Sequence, residues 1–117
     1  MAIFHFRNGD EIKQGATFSK LLTLKNSDGT ARDLTGCTFR MQLRTSLQET
    51  PALELTTANS GLVIVSAVAG TLRVDITATQ TALLAYGQYA YDLETGNGAS
   101  VERTLQGWAQ VTANVTR

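Results

Sequence analysis

From Cys37 to Arg44 the chain alternates almost without error. Cys37, Phe39, Met41 and Leu43 are apolar, while Thr38, Arg40, Gln42 and Arg44 are polar. Successive side chains on a strand point to opposite faces, so this stretch reads as a strand with one face for a core and one for water. It is entered through "DLTG" (Asp33 to Gly36). There Asp33 and Thr35 can each bond nearby backbone amides, and Gly36 can take a left-handed conformation. A slip of one residue would bury Arg40 and Arg44, so the first task of that turn is to fix register.

The same period-two signal recurs along the chain. "FSKLLTLK" (Phe18 to Lys25) places Phe18, Leu22 and Leu24 on one face; Lys20 interrupts that face, and a bulge or strand end is expected there. Asp28-Gly29 reads as a hairpin turn in which both central positions tolerate positive φ. "ALELTT" and "LVIVSA" are shorter strands, and "LRVDIT" puts Leu72, Val74 and Ile76 inward. The period then changes in "TATQTALLAYG". Thr77 or Thr79 can cap a short helix, Leu83 and Leu84 give it an apolar face, and Gly87 can end it. "QYAYDLET" resumes alternation with Tyr89, Tyr91 and Leu93 inward, "GNG" (Gly96 to Gly98) is a hairpin tip, and "SVERTLQGWAQVTANVT" returns as the last one or two strands. About eight or nine short strands at this spacing, with one helical turn near 77–86, predict an all-β fold: a single antiparallel, immunoglobulin-like β-sandwich over residues 1–117.

Composition narrows the functional classes. The 117 residues carry ten basic and ten acidic side chains. Without net charge there is no electrostatic argument for nucleic acid or an anionic membrane as partner. Cys37 is the single cysteine, which rules out an intrachain disulfide and, on an inward face, behaves as a small hydrophobe. The first residues lack the charged segment and apolar core of a signal peptide, and "GLVIVSAVAG" is far short of the roughly 20 residues that span a bilayer. Folding in a cytoplasm is the expectation.

No stretch carries a catalytic constellation. His5 is the single histidine and reads as a strand histidine; no serine stands in a nucleophile elbow. One histidine with one cysteine argues against zinc. Asn26, Asp28 and Asp33 offer oxygen ligands but lack the calcium-loop pattern, so a plain hairpin is expected. "GNG" lies between two strands with no helix after it, which does not fit dinucleotide binding. "NVT" at Asn114 matches a glycosylation sequon, which matters only on secretion. Asp75, Asp92 and Glu94 lie on outward faces near Arg73 and Arg103, where solvated ion pairing explains them better than paired catalytic carboxylates.

Trp108 is the most informative single residue. With Ala109, Val111, Ala113 and Val115 inward, strict alternation sends Trp108 outward with Gln110, Thr112 and Asn114. Alternatively, Gly107 marks a bulge that turns Trp108 back into or beside the core, and this is the preferred reading.

In order, the "DG" hairpin, "DLTG" leading into "TFRMQLR", "GTLRVDITATQTALLAYGQYAYDLE" and "LQGWAQVTANVT" resemble the immunoglobulin-like sandwich of phage and prophage tail and baseplate proteins, in particular the N-terminal domain of baseplate upper proteins. The likeness runs from about Ile12 to Thr116. It implies a virion structural role without catalysis or cofactor, located in the virion after folding in the host cytoplasm. The implied partners are other virion proteins or a second copy of the chain, with neither nucleic acid nor membrane. In that family the domain heads a longer chain, whereas this sequence stops at Arg117. It is therefore expected to act by assembling with itself or by docking on a larger protein. Interface candidates are Trp108, Arg40, Gln42, Arg44 and Gln110. The alternative is a carbohydrate- or cell-surface-binding module that uses Trp108 and the tyrosines, with Gln110, Asn97 or Asp92 as hydrogen-bonding groups.

Overall fold

The computed structural model describes residues 2–7, 9–45 and 51–113. In chain order the elements are β1 (Ala2–Ile3), β2 (Ile12–Lys13), β3 (Phe18–Thr23), β4 (Thr38–Arg44), β5 (Leu53–Thr56), β6 (Leu62–Ser66), β7 (Thr71–Ile76), α1 (Ala78–Leu83), β8 (Gly87–Asn97) and β9 (Ser100–Thr112). They form a β-sandwich. The larger sheet runs β1-β9-β8-β4-β5, with β2 also on β9, and the smaller runs β3-β7-β6. The sandwich is not antiparallel throughout, because β1 and β2 both pair with β9 in parallel.

The core lies where the alternation of β4 sends it. Cys37, Phe39, Met41 and Leu43 are buried, joined from the same sheet by Leu55, Tyr89, Tyr91, Leu93, Leu105, Ala109 and Val111. Leu22, Leu62, Leu72, Val74 and Ile76 meet them from the smaller sheet. The "DLTG" turn forms as its chemistry demands: the Asp33 carboxylate accepts from the Thr35 amide at 3.0 Å and the Thr35 hydroxyl at 2.6 Å. Gly36 takes φ 76°. Thr35 thus binds Asp33 rather than a backbone amide of its own. At the Asp28-Gly29 hairpin only Gly29 has positive φ, and Asp28 instead holds the Thr30 amide and hydroxyl.

Several expectations are corrected. Lys20 neither bulges nor ends its strand, since β3 pairs with β7 in unbroken register from Phe18↔Ile76 to Thr23↔Thr71. Its inward position is tolerated because its ammonium reaches Asp10 at 3.2 Å and lies over the Phe4 ring. Thr77, not Thr79, caps α1, and a reciprocal Gln80 bond completes a capping box. Of its two leucines only Leu84 is buried; Leu83 is 82% exposed, because a single helical turn on the sandwich rim has one inner face. Gly87 does not end the helix; it starts β8 at φ 140°. Ala113 is exposed rather than inward, past the end of β9. Asn114, Val115 and Thr116 lie outside the described residues.

Residues 2–7 form an arm along β9 that the alternation did not reveal. The amides of Phe4 and Phe6 donate to the carbonyls of Gln106 and Trp108, and Gln110 donates to Phe6. Phe6 is fully buried, with its ring edge-on to Phe4, Phe18 and Tyr91. The Tyr91 hydroxyl donates to the Phe4 carbonyl at 2.6 Å. Burial pushes the Tyr91 phenol well above its ordinary value. Burial also raises that of Tyr89, against the opposing effect of its bond to the Ala85 carbonyl. The folded chain therefore holds both protons more tightly than the unfolded chain. Their stabilising contribution is complete below the unfolded value of about 10 and is lost as pH rises above it. Urea midpoints should fall more steeply above about pH 10 in the wild type than in Tyr91→Phe, which itself should cost about 1 kcal/mol at neutral pH through the lost bond.

Candidate functional site

The outward residues of the larger sheet form a common surface. From β4 come Arg40, Gln42 and Arg44; across the ladder on β8 stand Glu94, Asp92 and Ala90. β9 continues the rows with Arg103, Gln106 and Trp108, in register with Glu94, Asp92 and Ala90. Ile3 and His5 of the N-terminal arm close one side. Together these side chains line a concavity of about 800 Å³, with the small residues Ala90 and Gly107 among its lining.

Trp108 is 46% exposed and points outward. The preferred expectation of a bulge at Gly107 is thereby corrected. A bulge does exist, but earlier: Leu93 pairs with Leu105 and Glu94 with Arg103, leaving Thr104 as the extra residue. Gly107 has a different duty. A Cβ there would lie 2.1 Å from the Phe4 carbonyl oxygen, so the glycine is what admits the arm. His5 then takes over a rung of the ladder: its Nδ1 accepts from the Trp108 amide at 3.0 Å. That bond requires the neutral tautomer with its proton on Nε2.

The charges on this face are internally matched. Arg40 meets Glu94 at 2.7 Å and Arg103 meets Asp92 at 3.1 Å. Arg44 donates to Gln42 at 2.6 Å, and Gln42 donates to Glu54. The hydrogen bond to Glu94 raises the pKa of the Arg40 guanidinium further above its already high value. Asp92 and Glu94 are thus ion-paired, as expected of solvated carboxylates, and Asp75 pairs with Arg73 at 2.9 Å on the other sheet.

Four interface candidates, Trp108, Arg40, Gln42 and Arg44, line the one concavity, and Gln110 is exposed on β9 one outward position beyond Trp108. Asp92, offered as a hydrogen-bonding group beside Trp108, does share the concavity; sequence reasoning missed Ile3, His5, Glu94, Gln106 and Arg103 as its neighbours, since pairing between strands brings them there. Of the tyrosines offered for a sugar platform with Trp108, Tyr89 and Tyr91 are buried, their hydroxyls bound to the carbonyls of Ala85 and Phe4, whereas Tyr86 is exposed just before β8. Asn26 donates to Thr30 and Ala31, while Asp28 and Asp33 are engaged by Thr30 and Thr35 in separate turns.

Among the described residues the sandwich has nine strands in two sheets and an outward tryptophan. The fold is similar to that of a phage protein domain. Over 89% of this chain and 84% of the other, it superposes on the N-terminal domain of phage TP901-1 ORF48 with a TM-score of 0.52 and 14% sequence identity. At that identity the likeness is one of fold. No family model matches the chain, and no curated protein matches it. Among the described residues no helix is long and apolar enough to cross a membrane.

Proposed function

We propose that this chain is a non-enzymatic structural module of a phage or prophage virion, in the tail or baseplate, that works through protein–protein contacts on the Trp108 face. The observation that carries the reading is the likeness of fold to a phage domain across most of both chains. It agrees with the sequence resemblance to the immunoglobulin-like N-terminal domain of baseplate upper proteins. The face itself supports a docking role. It combines an exposed tryptophan with arginines, the residue types that dominate binding energy at interfaces. Its paired charges lie beside the apolar surface of Ala90 and Trp108, and Ile3 adds apolar surface at the margin. The protein then resides in the host cytoplasm until assembly and in the particle afterwards.

Quantitative mass spectrometry of purified particles from the source cell tests the proposal. Peptides of this chain at a fixed multiple of a tail protein are the expected result, and the multiple gives its copy number. Absence of the chain from particles in which the other virion proteins are detected would reject the structural role.

A further inference from the structure

We infer that the Trp108 face pairs with the same face of a second copy of this chain about a two-fold axis. The inference rests on the docking reading and names its partner. The face carries a projection and a recess side by side. Trp108 stands half-exposed on β9, and the far smaller Ala90, its register partner on β8, lines the same concavity. Neighbouring strands lie about 4.8 Å apart, so projection and recess are one strand step from each other. An axis passing between them sets each Trp108 over the Ala90 of the other copy, which is the reciprocal contact that an isologous interface requires.

The electrostatics permit the same partner. A face of one sign repels its own copy, whereas here Arg40 and Arg103 are matched by Glu94 and Asp92, and Arg44 and Glu54 join through Gln42. Rotation about a two-fold axis brings carboxylates near guanidiniums without adding net charge to the interface. Ile3, 65% exposed at the margin of the concavity, supplies further apolar surface.

Sedimentation velocity over a dilution series up to about 100 μM, where a Kd of about 10 μM or tighter leaves most chains paired, reads the result. The expected species has twice the 12.6 kDa mass of the chain. Trp108→Ala removes the projection and Ala90→Glu fills the recess. Each should weaken the dimer by about tenfold or more while the far-ultraviolet dichroism stays that of the wild type. A wild-type chain that remains monomeric throughout, or a dimer that both variants leave intact, overturns the inference. Incorporation into particles separates this failure from that of the docking reading. If a monomeric wild type enters particles and Trp108→Ala does not, the face docks on a different virion protein and only the second copy is excluded. If the wild type is monomeric and Trp108→Ala enters particles as well as it does, the face is neither a dimer interface nor the docking surface and both fall.

Discussion

Phe6→Ala should destabilise the chain by about 3–5 kcal/mol, the range for truncating a buried aromatic. Phe6 has no exposed surface and is the centre of a ring cluster, with centroids 5.0 Å from Phe4, 5.8 Å from Phe18 and 5.0 Å from Tyr91. It is also the residue through which the N-terminal arm enters the core. Its removal leaves a cavity beneath the arm and takes away most of the reason for the arm to stay. For a small domain with about 5–15 kcal/mol in total, such a loss is a large fraction. Chemical denaturation should show a lower midpoint with the slope preserved. A change of under about 1 kcal/mol would show that the arm is not an integral part of the sandwich.

Gly107→Ala is the second large effect, and it comes from backbone approach. The added methyl would lie 2.1 Å from the Phe4 oxygen and 2.9 Å from its carbonyl carbon. A backbone group cannot swing aside as a flexible side chain can, so the arm itself must shift. Moving it strains the bond from the Tyr91 hydroxyl, the amide bond from Phe4 to Gln106 and the His5 contact to Trp108. Overpacking of this kind costs about 1–3 kcal/mol, and each lost hydrogen bond about 1 kcal/mol, so a total of about 3 kcal/mol or more is expected. The location of the damage is as informative as its size. Hydrogen exchange at the amides of Phe4 and Phe6 should speed up strongly, while Met41 and Leu72 keep their protection under conditions of local opening. Uniform loss of protection, or none, would contradict the account.

The contrast between β4 and the arm shows what the residues made legible. β4 could be read at every position because each of its inward residues is apolar and each outward one polar, so period and burial coincide. The helix cap was legible in part, for Thr77 was one of two threonines offered, while its reciprocal bond with Gln80 was not anticipated. The arm was not, because its parallel pairing is made by a few isolated rungs and its apolar residues, Phe4 and Phe6, are too few to fix a period. Lys20 misled for a related reason: a charge on an inward face looks like a break until Asp10 and Phe4 are known to be near. On the candidate face the outward row of Arg40, Gln42 and Arg44 was read correctly, since it follows from β4 alone. The rest of the face depends on how β8 and β9 are set against it, and Trp108 on where one extra residue falls. That information lies in pairing between distant segments.

The extra residue, Thr104, has a consequence of its own. Along β9 the outward residues have odd numbers up to Arg103 and even numbers from Gln106 onward, so Thr104 reverses parity along the strand. Because of that reversal, Arg103 and Trp108 share a face although they stand five positions apart, and Glu102 turns the other way to meet Arg32 at 2.8 Å. Removing this one residue would shorten the strand slightly, but it would force a choice: either the hairpin end or the tryptophan end of β9 would have to show its opposite side. The threonine therefore acts as a one-residue frame-setter for the sheet. A chain can keep all the right side chains here and still present the wrong surface if that count is off by one.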